Sequence, residues 1–162
     1  MFNLKIESYL KFIFIISLVS IISAYFIEYI LGHQPCNLCL IERIPYGLTI
    51  ILIITNYMLK KDEKFIILLL IIIFIFSFSI SFYHFGIEQG FFNESSVCGS
   101  KNVADINSKE ELLNLLNQKS ISCKDVTFKV LGLSLTSINI IISLMIIILL
   151  FKIYNLYEKI KS

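Results

Sequence analysis

Charge is what this chain has least of. Only 16% of its 162 residues are Asp, Glu, Lys or Arg, where a soluble domain of this size carries roughly a quarter. The net charge of +2 is too small to argue for a nucleic-acid partner, and none is expected. Arginine occurs once, at Arg43, and proline twice, at Pro35 and Pro45. There is no internal repeat and no low-complexity tract beyond the apolar runs, so residues 1–162 read as one integral membrane domain. No cysteine lies inside a long apolar run, although Cys is otherwise a common buried apolar residue.

What is present is hydrophobic: 57% of the residues, with a mean hydropathy of +0.83. Ile, Leu and Phe are gathered into long uninterrupted stretches, more apolar surface than one water-soluble core of this size could hide. The runs free of charge are 12–27, 44–59, 65–83 and 130–151. The first two have 16 residues each, which at ~1.5 Å per residue reach ~24 Å against a ~30 Å hydrocarbon core. Flanking residues must complete them, with Tyr9, Tyr25, Tyr29, Tyr46 and Tyr57 as interfacial anchors and Lys11 able to snorkel. The expected fold is an all-α bundle of four transmembrane helices, at about 10–30, 41–59, 65–83 and 130–151, with outer loops at about 31–40 and 84–129.

Orientation follows from the positive residues. Lys5 and Lys11, the three lysines of the 60–64 turn, and Lys152, Lys159 and Lys161 all fall on one side. The other side has Arg43 in one loop, and in the next five lysines balanced by six acids. The positive-inside rule puts both termini in the cytoplasm and both larger loops outside. A cleaved signal peptide is the competing reading of residues 1–27. The apolar run is longer than a usual signal core and no A-x-A-like site follows it, so the segment is expected to stay.

All four cysteines then face an oxidising compartment, which suggests two disulfides. They form two unequal pairs. Cys36-Asn37-Leu38-Cys39 is a C-x-x-C, whose small ring stabilises little and often serves redox exchange. A structural clip or half of a metal site is the plainer reading. Pro45 is easiest to place in the first turn of the second helix, which starts that helix near Glu42. Cys39 would then sit just before its positive end, with Arg43 one turn on, both favouring the thiolate. Arg43 read plainly is an interfacial anchor.

Cys98 and Cys123 bracket a loop rich in Asn, Ser and Gly. Ser108-Lys109-Glu110-Glu111 is a capping box ahead of Leu112, Leu113, Leu115 and Leu116, which predicts a short amphipathic helix on the membrane surface. Such a tethered loop suits presentation of a disulfide to a protein; a structural staple is the alternative. His84 and Glu88 follow the third run, where polar groups at the interface are common.

The residues carry a family resemblance. QPCNLCLIERIPYG, from Gln34 to Gly47, resembles the signature of the disulfide bond formation protein B family, in which a C-x-x-C is followed four residues later by arginine. YHFGIEQG, from Tyr83 to Gly90, and GLSLTSIN, from Gly132 to Asn139, also resemble family stretches around the third and fourth helices. The resemblance covers nearly the whole chain. It implies an oxidoreductase of the bacterial inner membrane that re-oxidises a periplasmic thioredoxin-fold thiol oxidase (DsbA-like) and passes the electrons to a membrane quinone, ubiquinone or menaquinone. Catalysis would rest on Cys36, Cys39, Cys98 and Cys123. By motif position Cys98 would form the mixed disulfide with the partner and Cys123 would exchange with the first pair. Cys39 would adjoin the quinone and Cys36 resolve it, while Arg43 and His84 would bind the quinone. No metal is implied. A thioredoxin-fold oxidase can sit as high as about −120 mV, so its re-oxidation needs a stronger acceptor than a glutathione pool, which a quinone provides.

Two other readings compete. The vitamin K epoxide reductase-like four-helix proteins carry their quinone-proximal C-x-x-C in a later span, unlike the position here. A non-enzymatic scaffold or metal-binding protein would use the cysteines as staples or ligands, and ligation would need all four to converge at about 2.3 Å from a zinc ion.

Overall fold

The computed structural model describes residues 4–59, 63–93, 98, 122–124, 129–130 and 132–161. Four long helices dominate: α1 (Leu4–Tyr29), α2 (Asn37–Leu59), α3 (Glu63–Glu88) and α4 (Leu135–Lys161). Just before α4 a small hairpin pairs β1 (Lys129–Val130) with β2 (Leu133–Ser134), antiparallel, with Lys129 opposite Ser134. Gly132 in its turn has φ 84°, a left-handed conformation that costs a glycine nothing. The 108–116 segment expected to form an amphipathic helix lies outside the described residues.

The helices have 26, 23, 26 and 27 residues. At ~1.5 Å per residue that is about 35–40 Å, enough to cross a ~30 Å hydrocarbon core with a margin. All four are long and apolar enough to cross a membrane. Continuous helix is what lipid demands, because backbone groups find no water there. The outward faces are apolar too: Ile15, Val19 and Ile22 of α1, Ile51 of α2, Ile72 and Phe76 of α3, and Ile148 of α4 are exposed. Such a belt suits hydrocarbon and would aggregate in water.

Inside, α3 packs most extensively on α4, α1 on α2, and α2 on α3. Leu10, Ile13, Ile53, Ile67, Leu70, Phe74, Ile146 and Leu150 form the core, with the Tyr46 ring edge-on to Phe74 at 5.7 Å. Lipid gives helices no hydrophobic reason to associate, so small residues that allow close approach matter more. Ser77 of α3 and Ser143 of α4 are fully buried, with their hydroxyl oxygens 3.2 Å apart.

The two ends of the bundle differ in chemistry. One carries lysines: Lys11 pairs with Glu7 at 2.7 Å, Lys64 with Glu158 at 2.5 Å, and Lys152 stands 5.6 Å from the Tyr9 ring. The other carries the described cysteines and most of the buried polar groups. There α3 runs on to Glu88, beyond the charge-free run, and closes in a Schellman motif. The Phe91 amide donates to the Gly86 carbonyl at 2.8 Å and Gly90 adopts φ 78°. Phe92 then lies flat on Gly86, where an added Cβ would meet its ring at 2.2 Å.

Two expectations are corrected. The fourth helix begins at Leu135, not near 130, because Val130 and Leu133 are taken up in the hairpin ahead of it, and it runs on to Lys161, past 151. The second helix begins at Asn37, not near Glu42, and Pro45 lies inside it. The first turn is made by Cys36, whose Sγ accepts the Cys39 amide at 3.3 Å and whose carbonyl accepts the Leu40 amide at 3.2 Å. That is an N-cap built on sulfur, and it offsets the bond that Pro45 removes more than two turns further on.

The Ser77–Ser143 contact predicts that Ser143→Leu destabilises the bundle by about 1–3 kcal/mol through overpacking. Thermal unfolding in detergent micelles measures this, and an unchanged midpoint would show that the two helices are not closely apposed there.

Candidate active site

Cys36 stands at the start of α2, buried, with two side-chain polar neighbours. Its Sγ lies 2.7 Å from Cys39 Sγ and 3.5 Å from His84 Nε2. His84 comes from α3, is 2% exposed, and uses its other nitrogen, Nδ1, to meet Glu42 Oε1 at 2.9 Å. An N–H at Nδ1 donates to the carboxylate, which turns Nε2 toward the sulfur. Glu42 Oε2 accepts from Asn139 Nδ2 of α4 at 2.9 Å, and the same amide group donates to Ser81 Oγ at 2.7 Å. The Asn139 amide orientation is set by Tyr46, whose hydroxyl donates to Oδ1. Both carboxylate oxygens of Glu42 are therefore occupied, as a buried charge requires.

A second carboxylate closes the site. Thr136 Oγ1 donates to Glu88 Oε1 at 2.5 Å and lies 3.4 Å from His84 Nδ1. Glu88 Oε1 is 4.0 Å from His84 Nε2, and Glu88 Oε2 is buried without a hydrogen-bond partner. Thiol, imidazole and carboxylate thus form one chain across α2 and α3, braced by Thr136 and Asn139 of α4. Such a chain can take a proton from sulfur, hold it on imidazole and stabilise the resulting charge.

The electrostatics favour a thiolate at Cys36. A hydrogen bond from Cys39 is the largest influence and, with His84 and the Cys39 amide, it lowers the thiol to about 4, against burial, which pushes it up. The sequence reading assigned the positive helix end to Cys39. The earlier start of α2 transfers it to Cys36, and Cys39 lies within the first turn. Arg43 does not reach the thiols either. It pairs with Glu28 of α1 at 2.5 Å, with its guanidinium 5.1 Å from the Tyr25 ring centre.

Cys98 and Cys123 are bonded to each other, with Cα atoms 5.5 Å apart, and are 2% and 3% exposed. Rather than standing out toward solvent, this disulfide is buried in one apolar cluster with Cys36, Leu38 and Ile87. Among the described residues Cys36 and Cys39 carry the free thiols, so no four-cysteine metal centre is formed. A cavity of about 360 Å³ opens beside them. Cys36, Cys39, Arg43, His84 and Cys123 all line it, with Val19, Ile21, Ile138 and Ile142 supplying apolar wall. A more open groove between α1 and α2 is lined by Tyr25, Glu28, Tyr29 and Arg43, so Arg43 stands between the two.

All six residues singled out from the sequence are therefore gathered at one end, five on the cavity and Cys98 behind Cys123. Glu42, Thr136 and Asn139 were not singled out. The signal was available: polar side chains in or beside apolar runs are costly in lipid and usually functional. Which thiol they serve required the packing.

Fold and site define a membrane-embedded thiol–disulfide centre with two cysteine pairs. The family model of disulfide bond formation protein DsbB matches residues 7–153, and the chain belongs to that family. It is similar to "Uncharacterized protein RP370" of Rickettsia prowazekii (strain Madrid E), 29% identical over 137 residues, covering 83% of this chain and 80% of that protein. No solved structure matches the chain. Family membership makes it a multi-pass membrane oxidoreductase of disulfide-bond formation, working with a disulfide-handling partner in the periplasm. The family works with quinones in general, and the residues fit one: an apolar slot with a cation, Arg43, and an imidazole, His84, beside a thiol.

Alkylation of Cys36 in the reduced protein, followed by peptide mass spectrometry, tests the electrostatics. The thiolate is the nucleophile and the Cys36 thiol is held well below its ordinary range, so as pH falls from about 8 to about 5 the rate should decline far less steeply than for a free thiol. An ordinary thiol, with a pKa of about 8.5, loses roughly tenfold per unit over that range. His84→Ala should move the fall upward.

Proposed function

We propose that the chain re-oxidises a thioredoxin-fold dithiol oxidase of the periplasm and delivers the electrons to a membrane quinone. In this reading both termini are cytoplasmic, in the inner membrane. One observation carries it: Cys36 belongs at once to the buried cluster holding Cys98–Cys123 and to the cavity lined by Cys39, His84 and Arg43. A residue so shared can hand electrons from one pair to the other.

The partner's dithiol becomes a disulfide as Cys98–Cys123 opens to two thiols, through a mixed disulfide at Cys98. Cys123 next attacks Cys36 of the closed Cys36–Cys39 bond, and Cys39 leaves as thiolate. Cys98 then attacks Cys123, which restores Cys98–Cys123 and releases Cys36. Two electrons have moved inward, and Cys36 and Cys39 are free, the pairing found here. A quinone, when bound, supplies an acceptor for two electrons and two protons.

The remaining work belongs to the chain. His84, oriented by Glu42, accepts the Cys36 proton and keeps the sulfur ionised. Asn139 and Tyr46 hold Glu42 in place. Arg43 borders the cavity on the lipid side, where a cation attracts a carbonyl oxygen, and Tyr25 and Glu28 fix its position. The apolar wall excludes water that would dissipate the thiolate charge.

Purified protein in lipid nanodiscs, given a reduced thioredoxin-fold oxidase and a soluble quinone, tests the relay. Cys36→Ser and Cys39→Ser should each cut quinone reduction at least 100-fold, on the order of the loss seen when a catalytic nucleophile is removed. Arg43→Gln should raise the KM for quinone roughly tenfold, since one charge-assisted contact is worth about 1.5 kcal/mol or more. In cells, Cys123→Ser should accumulate a disulfide between Cys98 and a thioredoxin-fold protein. Full turnover in the Cys36→Ser protein would sink the relay.

A further inference from the structure

We infer that the reduced Cys36 and Cys39 thiols, together with His84, form a binding site for one thiophilic divalent cation of the zinc class. Nothing in the relay requires it. The two sulfurs and a ring nitrogen of His84 all lie within 4.8 Å of one another. Cys36 Sγ and His84 Nε2 are 3.5 Å apart. A tetrahedral zinc ion with Zn–S of about 2.3 Å and Zn–N of about 2.0–2.1 Å sets sulfur and nitrogen about 3.5 Å apart. The sulfurs, at 2.7 Å, need to part by about 1 Å to reach the spacing of two zinc-bound thiolates. Rotation about two side-chain bonds supplies that without moving the helix.

The surroundings match a zinc site as well as the ligands do. A metal-bound histidine usually donates its other ring N–H to a carboxylate, which fixes the tautomer and strengthens the ligand. His84 Nδ1 already meets Glu42 in this way. The fourth position falls to water or, after a turn of its side chain, to Glu88, whose carboxylate lies outside the three-ligand cluster. Its side chain is only 6% exposed, it lines the same cavity, and its Oε2 is a buried oxygen with no hydrogen-bond partner. A buried oxygen without a partner is costly, and a cation is one means of satisfying it. Two sulfurs and one imidazole select a borderline-soft ion over magnesium or calcium, which take oxygen ligands.

Binding displaces the Cys39 thiol proton and the proton that His84 holds for Cys36, and it ties both sulfurs as thiolates, so they cannot close a disulfide while the ion stays. The site exists only in the reduced pair. The cation is thus an inhibitor of the state that must next be oxidised, and it stabilises that state.

Cobalt(II) is the probe, added to protein in nanodiscs reduced with a phosphine. We expect one cobalt per chain, with the intense visible bands of a tetrahedral site and a sulfur-to-metal charge-transfer band. Equimolar zinc should bleach both. Protein with Cys36–Cys39 closed should take up none, and Cys98→Ser/Cys123→Ser should bind as the parent does. His84→Ala should weaken binding at least tenfold, and Glu42→Gln should weaken it by about 10–100-fold as a loss of outer support. X-ray absorption at the zinc edge of the unaltered protein should resolve two sulfurs and at least one nitrogen, which requires no variant to fold. Absence of uptake by the reduced protein, equal uptake by the oxidised protein, loss of uptake in Cys98→Ser/Cys123→Ser, or a zinc shell without sulfur overturns the site.

Discussion

A carboxylate buried at the cysteine-bearing end of the bundle organises everything near it. Glu42 cannot be left unpaired in an apolar interior, where an isolated charge costs several kcal/mol or more. It is met by His84 from α3 and Asn139 from α4, at 2.9 Å each. Hydrogen bonds to a charged group contribute about 1.5–3 kcal/mol apiece. Three helices are thus tied at one level by polar bonds, where apolar packing alone would let them slide. The catalytic consequence follows from the same constraint: His84 held by Glu42 presents its free nitrogen to Cys36.

The site also shows how a helix start can do chemistry. Cys36 caps α2 with its own sulfur, so the atom that satisfies the first-turn amide is also the one whose ionised form the surroundings favour. Cys39, one turn in, is the donor that lowers the Cys36 thiol most. A C-x-x-C placed across a helix start thereby makes its two sulfurs unequal. Arg43 stands apart from this asymmetry, paired to Glu28 and lining both the cavity and the groove beside it. Its position suits a group arriving from the membrane better than it suits direct activation of a thiol.

Much of the architecture was legible in the residues. Runs such as 65–83 and 130–151 have no stable place outside lipid, and the lysines gather at one end of the bundle. The two cysteine pairs could be told apart from their spacing. Less legible was the local geometry of α2. Pro45 suggested a start near Glu42, because a proline is easiest to accommodate in a first turn. The helix starts five residues earlier, since a cap on Cys36 satisfies donors that would otherwise stand unpaired near the membrane. Spacing cannot reveal that balance. The disulfide at Cys98–Cys123 was expected on a loop suited to a protein partner and lies buried against Cys36 instead.

By itself the sequence determined that there are four membrane-crossing helices and that all four cysteines share one side, because length, hydropathy and the distribution of lysine are properties of the chain. It also marked Arg43 and His84 as polar groups at that side. Only the tertiary structure decided which sulfur meets the imidazole. That choice depends on Glu42, His84 and Asn139, which are 42 and 55 residues apart along the chain from His84 to Glu42 and from Asn139 to His84. Their meeting is a matter of helix packing, and no local pattern encodes it.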